Sequence, residues 1–282
     1  MKRLGIVYNA TNPLAVALQE RAVTWCTRHE LAVWIASGAD VALIRTHLPG
    51  TELLLILGGD GTILRAVSAL TTTDVPLLGV NTGKVGFLAK AEADQLEAVL
   101  GQVRDGAFDI EPRMALDVSI VPDPAGTTPT TAAHYAALNE AAIVRGSLAR
   151  LIRVDVNIDE THLATYRADG LVVATPTGST GYSFSAGGPI LDPSSRNLVV
   201  TPIAAYLAGI HSVVVSPRHT VTVRVEAAHD VMVSIDGQTD LPLAVGDSVR
   251  VRARERPMRF MQPHGTPSFW DLLRQKVELL PP

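Results

Sequence analysis

LLLILGGDGTILRAV, residues 53–67, decides the fold of this 282-residue chain. Five aliphatic residues, Leu53 to Leu57, follow one another without a polar interruption, the pattern of a strand buried on both faces of a parallel sheet. The strand runs straight into Gly58-Gly59-Asp60-Gly61-Thr62 and then into a helix expected over Thr62 to Leu70. Glycines at such a turn let the backbone come close to a ligand. The free N–H groups and the positive dipole end of the helix point back at it, which suits phosphate groups. Asp60 is the one charge in the turn, and a carboxylate there fits accepting a proton from a hydroxyl or holding a magnesium ion. A structural turn with Asp60 capping the helix accounts for the same residues. The spacing is neither GxGxxG nor GxxxxGKT, and no Lys follows the glycines, which argues against a P-loop NTPase.

Outward from this turn, Leu4 to Tyr8, Leu31 to Ala36 and Pro76 to Val80 read as further strands. Pro13 to Arg28 and Ala93 to Asp105 read as helices, the first with Asn12 as N-cap and Pro13 in its first turn. Strands alternating with helices predict a doubly wound, Rossmann-like parallel sheet over residues 1–110. Near Glu111 the pattern changes. Ala115 to Val121, Ala137 to Val144, Leu151 to Ile158, Leu171 to Ala174, Ser212 to Val215, Val221 to Val225, Val231 to Ile235 and Ser248 to Ala253 alternate at period two or are β-branched. They predict a β-rich second domain over 111–260, with Pro122 to Thr131 as a polar hairpin tip. Ser268 to Leu280 reads as an amphipathic helix with Phe269, Leu272, Leu273, Lys276 and Val277 at helical spacing. The tail 261–282 is expected to pack back on the first domain.

Composition narrows the function classes. A hydrophobic content of 47% with 18% charged residues describes a packed globular protein. The net charge of −4 lacks the basic excess of a general nucleic-acid binder. Cys26 is the single cysteine, so no internal disulfide forms, which suits a reducing compartment. No apolar run approaches the length needed to cross a bilayer, and the start lacks a signal-peptide core. The expectation is a cytoplasmic protein without nucleic-acid or membrane partners.

Two more constellations carry chemistry. ADGLVVATPTGSTGYSFSAGGPI, residues 168–190, places a short strand before a segment dense in hydroxyl groups, with Gly178 and Gly181 leaving the backbone open. Such a segment can bind ribose hydroxyls and phosphates, and Tyr182 offers a ring for a base. In HYAALNEAAIVRG, Asn139 and Glu140 interrupt an apolar run. A buried Glu must be paired or functional, whereas strand alternation would turn one of the two toward water. His134, His162, His211 and His219 read as surface or satisfied histidines. Arg250, Arg252, Arg254 and Arg256 read as one solvated strand face, and Trp25 and Trp34 as packing residues.

These motifs, in this order, resemble the NAD kinase family. The resemblance rests on GGDGT at 58–62, NTGKVGFL at 81–88, LNE at 138–140, DGLVVATPTGSTGYSFSAGGPI at 169–190, TPIA at 201–204, DGQ at 236–238 and the closing FWDLLRQKVEL. GGDGT is shared with lipid kinases and phosphofructokinases; TPTGST together with LNE is specific. The resemblance implies that Asp60 is the general base for the ribose 2′-hydroxyl and that Gly61 touches the dinucleotide. It implies that Asn139 and Glu140 hold the ribose and nicotinamide side, that Asp169 bonds the nicotinamide amide, and that Thr180, Gly181, Tyr182, Ser183, Phe184 and Ser185 wrap the adenosine half. Arg65, Arg150, Arg167 and Gln238 resemble further ligand contacts, and Phe87 the aromatic near the adenine. Gly181 stands where the family often has Ala, and TPIAAYLAGIHSVVV departs from a more usual Pro-His-Ser version.

The implied activity is transfer of a phosphoryl group from ATP or polyphosphate, with Mg²⁺, to NAD seated between the domains of a homodimer or homotetramer. No residue is singled out as a direct metal ligand. A lipid kinase carrying the same GGDGT would need an apolar cleft or a membrane-facing surface. A nucleotide-binding regulator would need no carboxylate in the phosphate turn.

Overall fold

A computed structural model describes residues 1–70, 75–83, 86–125, 130–146, 150–206 and 209–278. Lys84 and Val85 of the NTGKVGFL motif, residues 126–129 of the hairpin tip, residues 207–208 of the TPIAAYLAG stretch and residues 279–280 of the expected tail helix lie outside the described residues, as does the Val277 side chain. The chain divides into two compact units, Met1–Pro112 with Met258–Pro282, and Arg113–Pro257.

The first unit runs β1 (Arg3–Tyr8), α1 (Pro13–Arg28), β2 (Ala32–Ser37), α2 (Val41–His47), β3 (Leu53–Leu57), α3 (Asp60–Ser68), β4 (Leu77–Asn81), β5 (Ala91–Glu92), α4 (Leu96–Arg104) and β6 (Phe108–Arg113). The second comprises β7 (Leu116–Val121), β8 (Ala133–Ala137), β9 (Glu140–Arg145), β10 (Ile152–Ile158), β11 (Thr161–Ala168), β12 (Gly170–Ala174), α5 (Tyr182–Ser185), β13 (Leu198–Ile203), β14 (Val213–Val215), β15 (Val221–Ala227), β16 (Val231–Ile235), β17 (Thr239–Leu243) and β18 (Ser248–Ala253). The chain then returns to the first unit as β19 (Met258–Pro263) and α6 (Phe269–Glu278).

In the first unit the strand order is β2-β1-β3-β4-β19-β6, with β5 beside β4. The pairs β1–β2, β1–β3, β3–β4, β4–β5 and β4–β19 are parallel. Asn12 accepts hydrogen bonds from the Leu14 and Ala15 N–H groups and Pro13 opens α1, which fixes its start where the cap chemistry predicts. The stripe Ala15, Leu18, Ala22, Trp25 and Cys26 lies on Leu4, Ile6, Leu53, Leu55 and Leu57, and Leu96, Val99, Leu100 and Val103 of α4 join them. Each fully buried aliphatic of this kind contributes about 1.5–3 kcal/mol. The other sheet face carries Trp34 and Ile63: a Cβ on Gly5 would stand 2.3 Å from the Trp34 ring, and one on Gly79 2.7 Å from Ile63. The unforeseen helix α2 is started by the Asp40 side chain, which accepts from the Leu43 N–H. β1 lies between β2 and β3, so strand order reverses there. The carboxyl ends of β1 and β3 form a topological switch point, the usual ligand crevice of such sheets.

The second unit is a sandwich of two antiparallel six-stranded sheets, β11-β10-β15-β18-β7-β8 and β14-β13-β12-β9-β16-β17. Alternate residues of both, among them Leu116, Val118, Val154, Val156, Val223 and Val249 from one and Ala141, Ile143, Leu171, Val173, Val200 and Val233 from the other, form one core. Four of these strands, β8, β11, β13 and β17, were not expected from sequence. The expected strand Ala137 to Val144 begins on the last residue of β8, in the first sheet, and is otherwise β9, in the second, with the chain crossing at Leu138-Asn139. Likewise the four alternating arginines do not share one strand. β18 ends at Ala253, and Arg252 and Arg254 both lean on Asp117, at 3.5 and 3.8 Å. Trp25 and Trp34 are packed, with Trp34 Nε1 donating to Thr51 Oγ1 at 2.9 Å.

Candidate active site

In the first unit the site is built on the turn between β3 and α3. Gly58 is required because Thr62 folds back over it: a Cβ there would stand 2.4 Å from Thr62 Oγ1. The N-cap of α3 is Gly59, with no side-chain cap, so Asp60 does not cap the helix as the structural reading of the turn supposed. Its carboxylate instead accepts from the backbone N–H groups of Phe87 (Oδ2, 2.9 Å) and Leu88 (Oδ1, 3.2 Å). Gly86 makes room for it, since a Cβ there would fall 2.1 Å from Asp60 Oδ1. Each carboxylate oxygen keeps a second lone pair, and Asp60 is only half-buried. Asp60 is thus aimed by the backbone and left open to a ligand.

Gly61, in the first turn of the same helix, and Arg65, in its last turn, are exposed. Phe87, expected to face an adenine, has neighbours from α6: the Phe269 ring centroid lies 5.6 Å from its own, and Lys276 Nζ sits 4.1 Å over its ring.

In the second unit the site gathers at the crossing between β8 and β9. Asp236, with a left-handed φ of 51° followed by Gly237 at 62°, turns the chain between β16 and β17. Its carboxylate accepts from the N–H groups of Leu138 (2.8 Å), Asn139 (2.8 Å) and Glu140 (2.9 Å). Its own N–H donates to the Glu140 carbonyl at 3.0 Å. On the other side, Thr175 donates its hydroxyl to the Leu138 carbonyl at 2.6 Å and its N–H to the Asn139 carbonyl at 2.8 Å. Gly178 lets the TPTGST segment lie against Asn139; a Cβ there would meet the Asn139 carbonyl oxygen at 2.2 Å.

The water-facing alternative for Asn139 and Glu140 fails. Glu140 is 9% exposed, and Glu140 Oε2 and Asn139 Oδ1 are buried without a hydrogen-bond partner among the described residues. Burial, and after it the Asp236 carboxylate, pushes Glu140 up to about 8. Burial likewise raises Asp236 to about 6, against the pull of its three backbone donors. Buried acceptors left open in this way mark a place for donors such as hydroxyl or amino groups.

Around this pair the structure brings Asp169, Gly181 and Tyr182. A Cβ on Gly181 would stand 3.5 Å from Glu140 Oε2. Burial, then the charges of Asp169 and Glu140, push the Tyr182 phenol above its usual value. Asp169 pairs with Arg145 at 2.9 Å. Within α5, Tyr182 and Phe184 are exposed, at 42% and 53%, while Ser183 is buried against the Thr201 hydroxyl at 3.1 Å. Thr180 and Ser185 hydroxyls bond back to the Thr177 and Gly181 carbonyls. Gln238 is exposed beside the clamp, its side chain reaching the Asp236 carbonyl at 3.4 Å. Arg150 and Arg167 sit elsewhere, lining with Arg153 and His229 a surface cavity of about 490 Å³ that includes none of these residues.

Among the described residues no cluster of three or more His, Cys, Asp or Glu is placed to hold a metal ion, and no helix is long and apolar enough to cross a membrane. Of the residues that organise the site, Gly86, Thr175 and Asp236 lie inside the quoted motifs NTGKVGFL, TPTGST and DGQ but have no individual role assigned from sequence. The Asp-Gly pair at 236–237 was a turn signal, but nothing local indicated its partner.

A family model of the ATP-NAD kinase N-terminal domain matches residues 5–108, and one of the C-terminal domain matches residues 138–262. The NAD kinase of Symbiobacterium thermophilum is 38% identical, over 98% of this chain and 99% of its own, and that of Natranaerobius thermophilus 35% identical over 98% of each. An NAD kinase from Archaeoglobus fulgidus in complex with ATP superposes with a TM-score of 0.76 at 28% identity, over 99% of this chain and 100% of its own. Yeast NADH kinase complexed with NADH gives 0.83 at 24% identity, over 99% of this chain and 87% of its own, a likeness of fold.

Proposed function

The chain belongs to the NAD kinase family, and on that premise we propose that it phosphorylates the adenosine-ribose 2′-hydroxyl of NAD from ATP, with Asp60 as general base. It is a phosphotransferase, and phosphoryl transfer depends on positioning and charge neutralisation more than on covalent help. The observation that carries the reading is the Asp60 carboxylate, aimed by two backbone N–H groups at the mouth of α3 and left open to a ligand. There it accepts the hydroxyl proton as the oxygen attacks the γ-phosphorus and the bond to the β–γ bridging oxygen breaks, releasing ADP, while the Gly59-Asp60-Gly61 turn and the start of α3 receive donor phosphates.

In the second unit, Asn139 and Glu140 offer buried open acceptors to ribose hydroxyls and the nicotinamide side, and Asp169 takes the amide. The exposed rings of Tyr182 and Phe184 and the surrounding Thr180, Gly181, Ser183 and Ser185 receive the adenosine. Arg65 and Gln238 extend these surfaces. Arg150 and Arg167, in their own cavity, add positive charge for an anionic group. Phe87, engaged by α6, contacts the adenine through its remaining edge. A divalent cation such as Mg²⁺ would neutralise donor charge, and magnesium is commonly carried in on phosphates with one or two carboxylates.

The protein is proposed to work in the cytoplasm as a homodimer or homotetramer, in keeping with its lone buried Cys26 and the exposed Tyr206, Ile210 and Val214 of the β-rich unit. Incubation with NAD, ATP and Mg²⁺ should yield NADP, and parallel reactions with NADH or polyphosphate define the pairings used. Asp60→Asn should lower kcat by about 10²–10⁴-fold while the NAD dissociation constant stays within about threefold. Near-normal turnover in that variant would remove Asp60 from the reaction.

A further inference from the structure

Asp236 has no obvious reason to be ionisable. It is nearly buried, sits at a hairpin turn and faces a second buried carboxyl group, that of Glu140. Asp and Asn both tolerate the left-handed conformation it adopts, so the turn alone does not call for a carboxylate. The requirement comes from the other side. At Leu138-Asn139 the chain leaves one sheet for the other and loses ladder partners. Three consecutive N–H groups, those of Leu138, Asn139 and Glu140, point at one place. Only a group with acceptors at both ends serves them: Oδ2 takes Leu138, and Oδ1 takes Asn139 and Glu140. An amide would set its NH₂ against one or two of these donors. Together with the bond from its own N–H to the Glu140 carbonyl, Asp236 fixes the backbone that carries both open acceptors.

We propose that Asp236 is a positioning residue for dinucleotide binding, holding the backbone of 138–140 so that Asn139 and Glu140 aim their side chains at the ligand. This rests on the reading that Asn139 and Glu140 contact NAD. Asp236 itself touches no substrate. Its effect passes through the segment it grips, which separates it from a residue that merely holds the sandwich together. Loss of a turn bond alone would lower stability and leave the substrate preferences of the folded fraction unchanged.

The test is Asp236→Asn, which keeps size and turn conformation and removes one acceptor end. The KM for NAD should rise about tenfold, the equivalent of one lost charged hydrogen bond, while the KM for ATP stays within about twofold. In an Asn139→Ala background the same substitution should change NAD affinity by less than about threefold, because both act on one segment. An unchanged KM for NAD overturns the proposal. So does a parallel rise in both KM values, or an undiminished effect in the Asn139→Ala background. If Asn139→Ala alone leaves NAD binding intact, the reading of the site falls, and this inference with it. If Asn139→Ala impairs binding but Asp236→Asn does not, only the inference falls. Circular dichroism and thermal melting of each variant confirm that the folded protein is being measured.

Discussion

Asp60 and Asp236 do the same thing locally but are left with unequal room for a ligand. Each folds its carboxylate onto the backbone N–H groups of a distant segment, 87–88 for Asp60 and 138–140 for Asp236. Asp60 makes two such bonds at a half-buried helix mouth and keeps acceptor capacity toward solvent. Asp236 makes three in the interior, 7% exposed, and is spent in holding them. The difference teaches that a conspicuous carboxylate is not chemical by virtue of its type. What decides is how much of it remains open once the backbone has been served. By that measure Asp60 is left open to a ligand and Asp236 is fully engaged by the backbone.

Substitutions can break this contrast. The largest split should appear between Asp60→Asn, which slows turnover by about 10²–10⁴-fold with little change in stability, and Asp236→Ala. The latter strands three buried donors at about 1–3 kcal/mol each and should lower the unfolding free energy by about 3 kcal/mol or more in urea titrations. Equal losses of stability in the two variants would erase the distinction.

Next comes Glu140→Gln. A buried acid whose folded pKa is raised, here from 4.5 to about 8, holds its proton more tightly folded than unfolded. Its contribution to stability is therefore full below about pH 4.5 and is lost as pH climbs toward 8. Gln, fixed as the neutral form, escapes that loss. The variant should gain on the parent between pH 5 and pH 9 by on the order of 2 kcal/mol, read from denaturation midpoints. A gap that does not widen with pH would remove the buried acid from the account.

Smaller effects sharpen the geometry. Gly178→Ala pushes a methyl into the Asn139 carbonyl and should cost about 1–3 kcal/mol, because backbone yields poorly. Gly86→Ala presses on the Asp60 carboxylate and should lower kcat by about tenfold by breaking its aim, with NAD affinity nearly constant in equilibrium titrations. Smallest is Gly181→Ala, whose Cβ makes contacts of 3.3 Å to the Gly178 carbonyl and 3.5 Å to Glu140. It should shift NAD affinity by no more than about threefold, within the usual range of a tolerated methyl.

What the sequence disclosed follows the range of the forces involved. α1 was legible to the residue because Asn12, Pro13 and the apolar stripe are all local signals. Leu53 to Leu57 and the glycine turn into the next helix were legible for the same reason. The helix Val41–His47 was missed although Asp40 stood ready as its cap, because seven residues carry too little periodicity to announce themselves. β13 was missed because Pro202 sits inside it and Pro discourages a strand assignment. The crossing at Leu138-Asn139 was not legible even though Asn139 and Glu140 interrupt the apolar run, since its cause, Asp236, lies 98 residues from Leu138. The resemblance assigned roles to Asn139 and Glu140 and included DGQ at 236–238, but nothing local tied Asp236 to the N–H groups of 138–140.

The late return of the chain has a consequence for biosynthesis. β19 is an internal strand of a sheet whose other members, apart from it, are made within the first 113 residues. On a ribosome adding about 5–20 residues per second, β4 waits many seconds for that neighbour, with part of its edge open to mispairing. A nascent chain halted before Met258 lacks the strand that lies between β4 and β6 and so carries an unfinished sheet.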